Sequence, residues 1–499
     1  MTFVTPETLS KKTTYENALD LTGFGKYNAG MLIACCLLIL SMNLDMFGFS
    51  VVLPAMACDM ALDTSQQGLL SAIPLIGMIV SSYGWGLCSD TQGRRKTLLI
   101  AMPAALILSL ATTMAPTFAL LAIFKFFSVS LTTNFESIVQ YLITYFLLSA
   151  FALPIFTLTF GYEISWLGLV YTPWRMLLQI VCIPCALGII FMIFLQESPK
   201  YLLSRGRDEE ALKVLKIIYE YNSGENMENY PVKEVYLNET TADNSAGISL
   251  LKKIWNQTAP LFKPPLLKNS AILFYLLLSA FTTSTGFTMW VPTMTNAYFT
   301  GDESHHGRTF CEVASQSATT GSSNGTEIED CSNSIQTGAL YATMVYSGVS
   351  TMLMVTISFI VGIVGKKIIT LAIFVMSFTA GTLLLFVKVP MLSIALFFMF
   401  LYVAQVLGNI NTYLVELNPT HLRSMATCLA VVIARGSGFF SVQIIANLLG
   451  EYCTPMISGY IVLVMSGFVV ATFLPSESKL KSISQGEQTH AEDAENPKD

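Results

Sequence analysis

Asp45 and Arg435 are ionisable side chains inside long apolar stretches of the chain. A charge within a bilayer is costly and is retained for ion pathways, proton relays or ligand recognition. Asp45, with Asn43 two positions before it, has the chemistry to exchange a proton or to attract a cation. Arg435 can bind an anionic group or balance Asp45, and a structural ion pair holding helices together is the plain alternative. Gln405 and Asn409 lie four residues apart and so share one helical face. They can line the same polar cavity or hydrogen-bond neighbouring helices. Trp290 and the run Thr282-Thr-Ser-Thr285 are further cavity candidates, although aromatics near span ends commonly anchor a helix at the membrane interface. No catalytic nucleophile, metal cluster, carboxylate pair or phosphate-binding glycine loop is evident in the sequence. The reading is therefore not an enzyme, with no metal, no cofactor and no ATP-driven pump.

A second group of residues has the types and spacing of a gate. Gly86-Leu-Cys-Ser-Asp90-Thr-Gln-Gly93-Arg94-Arg95-Lys96 separates an apolar run from Leu69 to Trp85 and another from Thr97 to Leu108. Gly86 lets a helix end pack closely, and Gly93 supplies a backbone conformation that side chains resist. The three cations hold such a hairpin on the cytoplasmic side. Further on, Glu416-Leu-Asn-Pro419-Thr420-His-Leu-Arg423 closes one apolar run and opens the next. Pro419 stops a helix and Thr420 can cap its successor. Glu416 and Arg423 can then meet across the turn or pair with Lys366 and Lys367.

The elements that must position these groups are membrane spans. The 499 residues are 53% hydrophobic and only 12% charged, against about 25% charged in soluble domains. Twelve apolar stretches approach the ~20 residues that a span needs. They centre near Leu38, Ile76, Leu108, Phe124, Phe146, Gly188, Leu278, Val355, Phe378, Phe398, Val432 and Val464, and the fourth is short. No cleavable signal peptide is evident, because the first apolar run is long enough to span. With both termini in the cytosol, most of the 27 Lys and Arg fall on that side, as the positive-inside rule asks. Only Arg175, Arg308 and Lys388 fall on the other side, and Lys125 and Arg435 lie within spans. The tail is 1–28, the first bundle 29–197, the linker 198–269, the second bundle 270–478 and the C-terminal tail 479–499. Within the linker, Arg207 to Tyr219 reads as an amphipathic helix and Asn222 to Gly247 as irregular. A polar loop at 301–336 lies outside. There Cys311 and Cys331 are expected to form a disulfide, with Cys58 and Cys453 also on that side. Asn324 is the expected glycosylation site.

The halves repeat each other: Phe194-Leu-Gln-Glu-Ser-Pro-Lys200 follows span six, and Phe473-Leu-Pro-Ser-Glu-Ser-Lys479 follows span twelve. Gly86 and its cations fall opposite Gly365-Lys366-Lys367. Parallel repeats mark transporters that rock two bundles around a central site. The Gly-x-x-x-Asp-x-x-Gly-Arg-Arg hairpin resembles the signature loop of the major facilitator superfamily. With Glu416 to Arg423 and Glu197 to Leu202, the chain resembles the branch holding organic ion transporters, sugar porters and synaptic vesicle glycoprotein 2 relatives, and the N-terminal Tyr15 to Tyr27 resembles the vesicle glycoprotein 2-like group within it. The resemblance implies twelve transmembrane helices in two pseudo-symmetric six-helix bundles, an all-α fold with span four shortened. It implies that Asp90 latches the cytoplasmic side against the start of span eleven, unless the cations merely orient the hairpin. It also makes Lys125 the counterpart of a basic residue common in span four, with a snorkelling anchor as the alternative.

One departure stands out. The acid–proline–arginine turn expected between spans four and five is absent, so Arg94 lacks its usual carboxylate unless Glu136 substitutes. A divergent transporter and a chain missing a segment both fit. The expectation is a multi-pass protein of the plasma membrane or a vesicle. It moves a small organic solute by alternating access, coupled to a proton or another ion, with no nucleic acid partner. The alternative is a non-transporting glycoprotein that serves as a trafficking scaffold or receptor.

Overall fold

The computed structural model describes residues 13–131, 138–156, 161–164, 169–236, 258–264, 266–300, 307–320, 335–418 and 420–475. Each of the twelve expected span centres falls on a helix. In the first half these are α2 (Lys26–Asp59), α3 (Thr64–Gln92), α4 (Arg94–Thr113), α5 (Phe118–Leu131), α6 (Ile138–Phe156) and the pair α7 (Pro173–Val181) and α8 (Ile183–Phe194). Before them come β1 (Thr13–Thr14) and α1 (Tyr15–Asp20); between α6 and α7 lies a small hairpin of β2 (Tyr162–Ile164) and β3 (Leu169–Tyr171). After α8 follow α9 (Pro199–Ser204), α10 (Asp208–Ser223) and β4 (Val235–Tyr236). The second half holds α11 (Leu266–Thr300), α12 (Phe310–Thr320), α13 (Thr337–Val364), α14 (Lys366–Leu384), α15 (Pro390–Leu401), α16 (Val406–Leu417), α17 (Thr420–Leu448) and α18 (Cys453–Ala471). Among the described residues, nine stretches are long and apolar enough to cross a membrane. At 14 residues α5 is shorter than a full span. Span ten is broken midway by a 3-10 turn, Tyr402–Gln405, a common mark of a hinge or a functional position.

The chain divides into two compact units. The first comprises Met1–Met46, Val80–Phe135 and Leu178–Ile248; the second comprises Phe47–Ile79, Glu136–Leu177 and Ser249–Asp499. In the first unit Ala34, Leu38, Met102, Cys185 and Met192 form an apolar core shared by α2, α4 and α8. Gly188 makes the approach possible, since a Cβ there would stand 2.7 Å from Leu38 Cδ2.

The linker folds with the N-terminal segment. Helix α10 carries Asp208, Glu209 and Glu210 in its first turn, where the helix dipole favours acids, and ends on Gly224 at φ 78°. Its buried residues Ala211, Val214, Leu215 and Ile218 recur at helical spacing. They pack with Ala18, Leu202, Tyr230 and Val235. Asn222 accepts from the Tyr27 N–H at 3.1 Å and donates to the Gly23 carbonyl at 2.9 Å. The Tyr230 hydroxyl donates to the Ala18 carbonyl at 2.6 Å, and its burial pushes the phenol above its usual pKa. Strand β4 pairs in parallel with β1. Residues up to Tyr236 are therefore structured where the sequence suggested an irregular run; 237–257 lie outside the described residues.

In the second unit α11 packs along α17, α18 and α13, and α6 lies against α13. Gly68 of α3 meets Ala446 of α17 so closely that a Cβ would overlap it. Ser149 of α6 and Thr343 of α13 bring their hydroxyls within 2.9 Å. Helix α12 inserts Phe310 between Tyr298 and Phe397, with ring centroids at 5.4 and 4.9 Å. Its N-terminus is capped by Glu312, which accepts from the Thr309 N–H at 2.6 Å and is held below the usual carboxylate range by that bond. The expected Cys311–Cys331 pairing is corrected: Cys311 is bonded to Cys453, because the Phe310 stack seats α12 against the start of α18. Cys58 is disulfide-bonded too. Cys331 and Asn324 lie outside the described residues.

Candidate functional site

Asp45 on α2 is met by Lys125 on α5. The Lys125 Nζ lies 2.9 Å from Asp45 Oδ1 and also donates to the Asp45 backbone carbonyl. Ser109 of α4 donates to Oδ1 at 3.1 Å, and Ser128 of α5 donates to Oδ2 at 3.1 Å. The two hydroxyls are 2.5 Å apart. Lys125 and Ser128 reach the same carboxylate because residues three apart share a helix face. Lys125 is 0% exposed. Such a cation survives only when paired and hydrogen-bonded, and removing either partner costs about 3–5 kcal/mol. Chemically, one carboxylate charge here balances one buried ammonium.

This assigns Asp45 a countercharge that sequence reasoning had offered to Arg435. It also rules out the snorkelling reading of Lys125, whose amine points into protein. Arg435 lies on α17 in the second unit, 3% exposed. Asn43 is buried and donates to the Ile39 carbonyl of its own helix at 2.9 Å. Gln405 and Asn409 follow the neighbour-bonding alternative. Gln405 Nε2 donates to the Ser350 carbonyl at 3.2 Å, and Asn409 Nδ2 to Thr370 Oγ1 at 3.2 Å. Gln405 Oε1, Ser350 Oγ, Thr283 Oγ1 and Trp290 Nε1 are buried without a partner among the described residues. Trp290 is 0% exposed, so it is a core residue and no interface anchor.

The hairpin after α3 is built around Gly93, at φ 102° and ψ 148°. Glu197, just past α8, accepts from the Arg95 N–H at 2.9 Å and the Lys96 N–H at 3.3 Å. A carboxylate thus caps the N-terminus of α4, where two backbone donors and the dipole favour it. A Cβ on Gly93 would stand 2.6 Å from Glu197 Oε2. Arg95 Nη2 donates to the Ile193 carbonyl at 2.8 Å, and the Tyr201 hydroxyl to the Thr91 carbonyl at 2.9 Å. Arg94 is exposed at the first position of α4. In the second half Lys366 pairs with Glu416. The surroundings of Gly86 and the side chains of Asp90 and Arg423, as well as Pro419 and Glu136, lie outside what the structure describes.

Sequence reasoning passed over Ser109 and Ser128. Ser128 carried a signal, three positions after a lysine inside an apolar helix; Ser109 carried none, since only packing brings α4 to Asp45. Glu197 was noticed as part of a repeated motif, without its role as a cap.

Residues 2–289 match the family model described as "Sugar (and other) transporter". Organic cation/carnitine transporter 7 of Arabidopsis thaliana is 28% identical over 220 residues, 42% of this chain and 43% of that protein. Synaptic vesicle glycoprotein 2C of Mus musculus is 25% identical over 232 residues, 42% of this chain and 32% of that protein. The chain thus spans less than half the length of these relatives. The xylose transporter XylE of E. coli, in a partially occluded inward-open conformation, superposes with a TM-score of 0.58 at 16% identity, over 90% of this chain and 100% of that one. The nucleoside transporter NupG superposes with a TM-score of 0.52 at 12% identity, over 88% and 97%. These likenesses establish the fold of twelve helices in two six-helix bundles. With the family model matching more than half of its residues, the chain is an integral multi-pass membrane protein that belongs to the sugar (and other) transporter family of the major facilitator type.

Proposed function

We propose that the chain is a secondary transporter that moves a small organic solute by alternating access, with Asp45 and Lys125 as its coupling pair. The observation that carries this reading is a buried carboxylate held by an ammonium and two hydroxyls, in a member of a transporter family. A proton arriving on Asp45 neutralises it, frees Lys125 and its helix, and so ties a protonation event to a change in packing. The partnerless polar atoms of Thr283, Trp290, Ser350 and Gln405 are groups that a solute can satisfy on binding. Arg435 is the candidate for an anionic group of that solute, and Asn43 and Asn409 support the helices that present these residues. The organic cation transporter among the relatives supports an organic ion as cargo.

In this reading Gly86 to Lys96 and Glu416 to Arg423 are the gating motifs, Asp90 among them. Both termini and the linker are cytosolic, and the membrane is that of a vesicle or the cell surface. Uptake by proteoliposomes under an imposed proton gradient tests it. Asp45→Asn is expected to lose gradient-driven uptake while retaining exchange at equal concentrations. A second reading, a non-transporting vesicle glycoprotein, is favoured by the likeness to synaptic vesicle glycoprotein 2C and by the missing turn after span four. Failure of every gradient to move any organic ion or sugar would replace the first reading with the second.

A further inference from the structure

A recess in the first unit is lined by sulfur on two sides. Cys182 and Cys185 approach from α8 and its N-terminal turn, Met42 from α2 and Met102 from α4; Asp45, Ser41 and Ser109 complete the wall. Its free volume is about 20 Å³, room for a single small ion or water. Cys182 and Cys185 are three positions apart, so both thiols face the same void. Both are free thiols. Cys182 Sγ donates to the Leu178 carbonyl at 3.4 Å; Cys185 Sγ lies 4.0 Å from the Met102 carbonyl and also meets the Ser41 hydroxyl. Two thiols and two thioethers around one small void are a soft donor set. Thiolate sulfur suits Cu+ and Zn2+ alike, and the two thioethers tip the set toward a soft monovalent ion such as Cu+ or Ag+ over the hard divalent ions.

We propose that this recess is a binding site for a soft monovalent cation, Cu+ or its redox-inert analogue Ag+. Among the described residues no trio of His, Cys, Asp and Glu side chains forms a metal site. The occupant is then one that the sulfurs alone can hold, and thioethers such as Met42 and Met102 are donors that suit soft ions. Each thiol that binds as thiolate releases one proton, and the thioethers bind without proton loss. The site itself does not depend on the transport reading, because its occupancy is measured without any solute.

The test is equilibrium dialysis of Ag+ against the purified full chain in detergent, with Cys35, Cys36, Cys88 and Cys428 replaced by serine to silence the other described free thiols. One Ag+ per chain is expected. Loss of an outer-shell partner alone costs a metal site about 10–100-fold in affinity, so Cys182→Ser or Cys185→Ser is expected to cost more than about 100-fold. Met42→Leu and Met102→Leu, which keep shape and folding, are expected to weaken binding while the thiol titration is unchanged. Binding that survives either serine substitution overturns the proposal. Binding indifferent to both leucine substitutions overturns the four-sulfur site as well. A failed transport assay with intact, thiol-dependent Ag+ binding would count against the coupling role of Asp45 and leave the cation site standing.

Discussion

Two glycines open two helices in the same way, and different acids restrain them. Gly93 precedes α4 at φ 102° and ψ 148°; Gly365 precedes α14 at φ 98° and ψ 142°. In each half the second cation of the hairpin reaches the end of the half's last span. Arg95 Nη2 donates to the Ile193 carbonyl at 2.8 Å, and Lys367 Nζ to the Thr472 and Leu474 carbonyls at 2.6 and 2.7 Å. The acids come from different places. In the first half Glu197 caps the backbone of α4 directly. In the second, Glu416 at the end of span ten holds the Lys366 side chain. The first half lacks the turn that would supply an acid after span four. The lesson is that a repeated backbone element persists because its glycine and its helix dipole require it, while the restraining acid is drawn from whichever neighbouring element carries one.

The largest expected asymmetry is at the glycines. A non-glycine residue at such a φ costs about 1–3 kcal/mol. Gly93→Ala adds a second loss, because its Cβ displaces the Glu197 carboxylate from the helix it caps. At Gly365→Ala the same backbone strain applies, but Glu416 bonds the Lys366 side chain, so that acid is not seated on the backbone that the new Cβ joins. Thermal unfolding of the purified protein should therefore rank Gly93→Ala well below Gly365→Ala. Equal losses would mean that Glu197 contributes little to the cap.

The acids give the next effect. Glu197→Ala takes the carboxylate from the part-buried Arg95 N–H and the exposed Lys96 N–H, the loss of a helix cap at about 0.5–2 kcal/mol. Glu197→Gln keeps an acceptor and loses the charge at the helix N-terminus, about 0.3–1 kcal/mol. Glu416→Gln removes a partly exposed ion pair, worth about 0–1 kcal/mol. Hydrogen exchange separates the mechanisms. The Arg95 and Lys96 amides should exchange faster in Glu197→Ala, whereas the Ile369 amide, bonded to the Gly365 carbonyl, should be unmoved by Glu416→Ala.

The same contrast marks what the sequence made legible. Hydropathy placed all twelve expected span centres on helices, because a bilayer demands long apolar runs wherever the chain folds. Gly93 and Gly365 were legible as glycines ahead of cations, a local requirement. The Asp45–Lys125 pair was not: both charges were conspicuous in apolar surroundings, but which helix faces which is decided by packing across eighty positions of chain. The Cys311 pairing failed for the same reason. Spacing favoured a partner within the loop, while the aromatic seat of α12 brought Cys453 instead.

The smallest effect is the most discriminating for the shared part of the two hairpins. Arg95 reaches a single carbonyl through Nη2, and its Nε is buried without a partner. Arg95→Lys can make that bond with an ammonium and removes the partnerless Nε, so the gain offsets the shorter reach. A change within about 0.5 kcal/mol is expected, the range of a substitution that breaks no special feature. Lys367 serves two carbonyls with one freely rotating ammonium, and a planar guanidinium cannot turn its donors to both with equal ease. Lys367→Arg should thus be the costlier exchange, though smaller than any acid substitution in the first half. If Arg95→Lys instead costs as much as Glu197→Ala, the guanidinium holds something besides the Ile193 carbonyl. The two hairpins would then differ in their cation as well as in their acid.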